Sequence, residues 1–166
     1  MNGGSGAEYI YTRAGADVVN AGGGDDTVYG DLGNDTLRDG SGSDYMHGGA
    51  DTVNAGGGND IVYGEAGDDF IEGGANSDSL NGGLGLDTFD FNLGSGTDTV
   101  YDFTNDQDTL RIDPGYGFAT AAAVVAATTA VGNDAVVGLG GGNSIVLVNY
   151  LAANSIANLG DDIIIL

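Results

Sequence analysis

The feature that most constrains this chain is a nine-residue period running from Gly3 to Tyr101. Aligned on its acidic residues, the sequence falls into eleven lines: GGSGAEYIY (3–11), TRAGADVVN (12–20), AGGGDDTVY (21–29), GDLGNDTLR (30–38), DGSGSDYMH (39–47), the short GGADTVN (48–54), AGGGNDIVY (55–63), GEAGDDFIE (64–72), GGANSDSLN (73–81), GGLGLDTFD (82–90) and LGSGTDTVY (93–101). Phe91 and Asn92 are inserted before the last line. The fourth column is Gly in nine of the ten full lines, with Asn76 the exception. The sixth is Asp in ten of eleven, with Glu8 the exception, and the eighth is apolar throughout. Gly and Asn tolerate the left-handed backbone. Each line therefore reads as a six-residue turn followed by a three-residue strand with one inward side chain.

A strand of three residues buries nothing alone. Stacking coil on coil gives its apolar residue and its backbone groups their partners. Two lines per coil, 18 residues, predict a flattened parallel coil with aliphatic ladders inside and Asp-lined turns along both edges. One core residue in nine is a thin core, and the composition sharpens the point. Gly supplies 33 of 166 residues, and 3 basic against 25 acidic residues leave a net charge of −22. A helical bundle is excluded because Gly costs about 1 kcal/mol per helical position. Nucleic acid and anionic membrane surfaces are excluded by the sign of the charge. No apolar run of about 18 residues exists, so membrane insertion is not expected. Without cysteine there are no disulfides or thiolate metal sites. Simple disorder is disfavoured by the 41% of apolar residues, which recur at fixed places. The chain reads as one that folds when something neutralises its carboxylates.

The pattern GGxGxDxUx, complete in 82–90 and with Ala in place of the first Gly in 21–29 and 55–63, resembles the calcium-binding repeats-in-toxin (RTX, haemolysin-type) family. The resemblance implies an all-β fold, a right-handed parallel β-roll over residues 3–101, with a small cap of short helix and β-hairpin over 102–166. It also implies that turns one coil apart on the same edge hold Ca²⁺ between them. One turn gives the carbonyls of its second and fourth residues, the other those of its first and third, and both give the Asp carboxylate. Calcium takes six to eight hard oxygens at about 2.3–2.6 Å, backbone carbonyls among them. On one edge the implied metal residues are Asp26, Asp44, Asp60, Asp78 and Asp98, with Gly22, Gly24, Gly40, Gly42, Gly56, Gly58, Gly73 and Gly74. On the other they are Asp17, Asp35, Asp51, Asp69 and Asp87, with Gly15, Gly30, Gly33, Gly64, Gly67, Gly82, Gly83 and Gly85. Five gaps between complete turns are expected to fill: 17/35, 26/44, 44/60, 60/78 and 69/87. The gaps 35/51 and 51/69 use the short line, which lacks its third and fourth residues, and are expected to be weak. Glu8 is one methylene too long and 78/98 spans the insertion, so 8/26 and 78/98 are not counted.

Other constellations carry less. Asp25–Asp26 and Asp68–Asp69 could pair as acid and base, but the fifth column varies and the sixth is already assigned; no catalytic residue is expected, and no enzyme activity. His47 is the single histidine, in a ninth column, where it should be solvated and has no partner for acid–base work. Tyr9, Tyr11, Tyr29, Tyr45 and Tyr63 occupy outward columns and are expected to stack on the surface rather than form a sugar-binding stripe. The Gly83–Gly85 and Gly94–Gly96 pairs lack the strand–helix context of a dinucleotide loop.

After Tyr101 the composition changes. Ala119–Val131 predicts a short helix, Val136–Leu139 and Ser144–Val148 a β-hairpin about Gly140–Asn143, and Asn149–Leu159 a helical turn. Such a cap closes the exposed strand edge at the end of the coil. The run 87–113, the hairpin and the acidic-then-aliphatic end Asp161–Leu166 resemble the C-terminal domain of serralysin-type metalloproteases, although no HExxH helix is present. That resemblance implies an uncleaved type I secretion signal, hence type I secretion machinery as partner and an extracellular destination outside a Gram-negative-type bacterium. Asp102 and Asp108 match its acidic positions after the last repeat. Three functions remain in view: a module that folds on calcium outside the cell, an accessory module binding an alginate-like extracellular polysaccharide, and a surface-layer or adhesin segment. Modules of similar repeats accompany alginate epimerases, but −22 repels a polyanion unless calcium bridges the two.

Overall fold

The position of the eighth-column side chain organises the whole molecule. The computed structural model describes residues 1–49 and 51–166; Ala50, inside the short line, lies outside the described residues. Each line ends in a strand: β1 (Tyr9–Tyr11), β2 (Val18–Asn20), β3 (Thr27–Tyr29), β4 (Thr36–Arg38), β5 (Tyr45–His47), β6 (Thr52–Asn54), β7 (Ile61–Ala66), β8 (Phe70–Glu72), β9 (Ser79–Leu84), β10 (Thr88–Phe91) and β11 (Thr97–Val100). Odd strands pair in one parallel sheet and even strands in another. The chain is an all-β parallel solenoid with two lines per coil, as the period requires.

The register places like on like. Ile10, Val28, Met46, Val62, Leu80 and Val100 form one ladder, each opposite the next. Val19, Leu37, Val53, Ile71 and Phe89 form the other. Apart from Ile10 at the end, every one of these side chains is fully buried. Across the short line Leu37 still faces Val53, so the missing residues shorten a turn and leave the strand stack intact.

The last third extends both sheets. The strand β12 (Thr109–Ile112) adds to β10, so Phe89 meets Leu110. After it come α1 (Ala121–Ala127), β13 (Thr128–Val131), β14 (Asp134–Gly140), β15 (Asn143–Leu147) and β16 (Ile163–Ile165). β15 continues the odd sheet in parallel with β11, and β14 and β13 then turn it antiparallel. β16 lies on β12, setting Ile163 opposite Leu110. The expected helix over 119–131 is shorter than its sequence suggested. Thr120 caps it by accepting from the Ala123 N–H at 3.2 Å. The β-branched residues Thr128, Thr129 and Val131 then leave it to pair with β14. The expected hairpin is thus a three-stranded meander. The helical turn expected at 149–159 is two 3₁₀ segments, Tyr150–Ala152 and Ile156–Asp162. Val124, Val137, Ile145, Tyr150 and Leu159 close the core over the last coil.

Candidate metal centre

The sixth-column carboxylates are the most unusual side chains in the molecule, because they are charged and buried. Asp26, Asp35, Asp44, Asp51, Asp60, Asp69, Asp78, Asp87 and Asp98 are each no more than 4% exposed. One oxygen of each is accounted for. On one edge the N–H groups of Glu8, Asp26, Asp44, Asp60 and Asp78 donate to Oδ1 of Asp26, Asp44, Asp60, Asp78 and Asp98, at 2.7–3.1 Å. On the other, Asp17, Asp35, Asp51, Asp69 and Asp87 donate to Asp35, Asp51, Asp69, Asp87 and Asp108, at 2.6–3.0 Å. The columns run through the short line and through the insertion. Asp108 extends its column into the cap, whereas Asp102 turns aside and accepts from the N–H groups of Gly82 and Gly83.

The second oxygen has no such partner. Oδ2 of Asp26, Asp35, Asp44, Asp51, Asp60, Asp69 and Asp78 is buried without a hydrogen bond. It faces its own turn: a Cβ on Gly30 would lie 2.6 Å from Asp35 Oδ2, and one on Gly64 2.6 Å from Asp69 Oδ2. Glycine in the first column therefore leaves room at that oxygen. In the fourth column Gly33 and Gly58 sit at φ 140° and 153°, with carbonyls of Gly15 and Gly42 packed where a side chain would project. Asn76 holds the same place in its line at φ 89°. In these full-length turns backbone carbonyls of the coil before close in on the glycine two residues ahead of the carboxylate.

Burial sets the acidities. Desolvation raises Asp60, Asp69 and Asp98 to about 7, and Asp51, Asp78 and Asp87 to about 6, against the pull of the backbone N–H each accepts. Hard, anionic, unpaired oxygens beside crowded carbonyls are the donor set a calcium ion takes. The residues fit that ion.

Asp39 joins this group although it is not among the expected metal residues. It is the one charged residue in the first column, a signal that was available. Asp26, Asp39 and Asp44 each place a carboxylate oxygen within 4.8 Å of the others. The fifth column also proves less arbitrary than it looked. Asp25 and Asp68 accept from the N–H groups of Ser43 and Leu86, each at 2.9 Å, one coil on. His47, expected to be solvated, is instead stacked between Tyr29 and Tyr63, 4.9 Å from each ring. Its Nδ1 meets Glu65 Oε1 at 2.5 Å. Tyr11 stacks on Tyr29 at 4.8 Å, so these rings spend their faces on one another.

Such a site defines a class: a calcium-binding β-roll built from glycine–aspartate turns. Comparison with known proteins agrees. The sequence model of the RTX calcium-binding nonapeptide repeat matches residues 2–37, 29–52, 47–80, 54–89 and 63–100. These stretches cover more than half of the chain, and the protein belongs to that family. Among solved structures it is similar to the extracellular lipase LipA of Serratia marcescens, at 18% identity and a TM-score of 0.45. That match covers 98% of this chain but 39% of the lipase. It is also similar to the AlgE6R3 subunit of the Azotobacter vinelandii mannuronan C5-epimerase, at 23% identity and a TM-score of 0.46, over 97% of this chain and 80% of that one. No curated protein matches the chain. Among the described residues no helix is long and apolar enough to cross a membrane.

Proposed function

We propose that this chain is a calcium-triggered folding module of a secreted protein. The observation that carries the reading is the row of buried, unpartnered Oδ2 atoms from Asp26 to Asp78. A buried charge without a partner is expensive, and a divalent cation offsets two of them at once. Bound calcium supplies positive charge and six to eight coordination positions. The chain supplies the rest. From Asp26 to Asp98 each sixth-column Asp is oriented by the N–H that donates to its Oδ1, which leaves its other oxygen on the side of the turn. First-column glycines such as Gly30, Gly64, Gly73 and Gly82 keep that space open. Fourth-column glycines such as Gly33, Gly42, Gly58 and Gly85 let the carbonyls close in. The proposed sites are the gaps 17/35, 26/44, 44/60, 60/78 and 69/87, with weaker ones beside Asp51.

Binding free energy then becomes folding free energy. Without cations the stacked carboxylates repel, and little opposes the ordering entropy of a glycine-rich chain. Inside a cell, where free calcium is scarce, the chain stays unfolded and threadable; outside it folds. Export by type I secretion machinery belongs to the same proposal, supported by the acidic-then-aliphatic run Asp161–Leu166. That run is free in the unfolded chain and docks on β12 through β16 once the protein folds. The proposed role is structural rather than catalytic. Circular dichroism of the chain against calcium is the test. The expected result is a coil spectrum in chelator and a cooperative rise of β signal on titration. A chain already β-rich in chelator overturns the proposal.

A further inference from the structure

One turn departs from the others in charge, and the departure is aimed at a site. In the first column of its edge the residues run Gly3, Ala21, Asp39, Ala55, Gly73. Ala21 and Ala55 are fully buried, so the lines on either side of Asp39 accept a side chain here, whereas a Cβ on Gly73 would lie 2.5 Å from Asp78 Oδ2. Asp39 carries a carboxylate into the same space. Its Oδ1 accepts from the Gly40 N–H at 2.9 Å, which fixes the group, and its Oδ2 is buried without a partner. Beside it lie Asp26 and Asp44, each 2% exposed and each with an Oδ2 that is buried without a partner. Carboxylate oxygens of the three lie within 4.8 Å of one another. Among the described residues neither Arg nor His forms an ion pair with any of them. Three converging anionic oxygens with no cation of the protein's own describe a place for a cation of high charge.

We propose that Asp39 is a third carboxylate ligand at the 26/44 gap, which makes this the site that fills first and the one that favours highly charged cations. The inference rests on the calcium reading of the turns and adds a distinction among them. Sites that differ in carboxylate count differ in affinity, because ligand charge is one of the quantities that tunes oxygen-ligand cation sites. Early occupation of 26/44 joins two neighbouring coils of one edge.

Calorimetric titration of the full chain with calcium, and then with a trivalent lanthanide, tests this. In the unaltered chain one site is expected to bind ahead of the rest. Asp39→Asn keeps the shape and the carbonyl but removes the charge, and should weaken that first site about tenfold. Its preference for the lanthanide over calcium should fall as well, which a purely structural role for Asp39 would not produce. Asp39→Gly restores the usual residue of the repeat and should behave alike while folding normally in excess calcium. Asp161→Asn, which removes an exposed charge elsewhere, should change neither quantity. First-site affinity and lanthanide preference unchanged in both Asp39 variants overturn the inference and leave the calcium reading standing. An unaltered chain that neither binds calcium nor folds with it overturns both.

Discussion

A sixth-column aspartate divides its work between two oxygens. Oδ1 continues the backbone ladder from coil to coil, and Oδ2 is held ready in the turn. Substitution by asparagine separates the two, because the amide keeps one acceptor and loses the charge. Asp60 lies between two full-length turns, those of Asp44 and Asp78, whereas Asp51 lies in the shortened one. Asp60→Asn is therefore expected to raise the calcium midpoint of folding several-fold, and Asp51→Asn by less. Midpoints followed by tyrosine fluorescence or circular dichroism give the comparison. A larger shift for Asp51→Asn would show that the short turn binds as well as the long ones. Asp51 is held as firmly as the others: its Oδ1 accepts from the Asp35 N–H at 2.6 Å and its own N–H donates to Asp69 Oδ1 at 2.6 Å. The expected difference thus lies in missing carbonyls and not in a misplaced carboxylate.

At the scale of the strand, one side chain per line carries the core. Leu37 in β4 sits between Val19 and Val53 with no exposed surface. Leu37→Ala leaves a cavity that the paired strands cannot collapse to fill, and should cost about 2–5 kcal/mol. Thr36→Ala, at the half-buried outer position next to it, should stay within about 0.5 kcal/mol. Urea unfolding in saturating calcium measures both, and equal losses would contradict the ladder. These strands were legible in the sequence because the period fixes both the inward residue and its neighbour one coil away. The cap was legible only in outline, as helix, hairpin and helical turn, because no period fixes its bounds or its third strand. Thr128–Val131 follows an alanine-rich helix without a break, and only the edge of β14 draws it into a strand. His47 was misjudged for a related reason. Its column faces outward, yet Tyr29 and Tyr63 flank it in the neighbouring strands and Glu65 reaches it from the end of β7. Asp39 is marked in the sequence only as the one charged residue in a first column of Gly, Ala, Thr and Leu.

At the scale of the whole molecule, the folded chain without cations is a store of misplaced negative charge, and pH should act on it in a definite direction. Seven carboxylates, those of Asp39, Asp51, Asp60, Asp69, Asp78, Asp87 and Asp98, are raised to about 6 or 7, mainly by desolvation. In the unfolded chain they titrate near 3.9. The folded state therefore binds protons more tightly, and the stability this contributes is fully present below about pH 4 and lost as pH rises through 6 to 7. Calcium-free protein should accordingly gain β structure when taken from about pH 8 to about pH 5, a value still above the sequence pI of about 4.1. With calcium the direction reverses. Protons and cations compete for the same oxygens, so the calcium midpoint should rise as pH falls through 7. Circular dichroism at both pH values, with and without calcium, and sedimentation to exclude aggregates, reads both halves. A calcium-free chain equally unfolded at pH 5 and pH 8 would mean that carboxylate charge is not what keeps it open. The thin core and the ordering entropy of its glycines would then suffice to hold it unfolded without any help from repulsion.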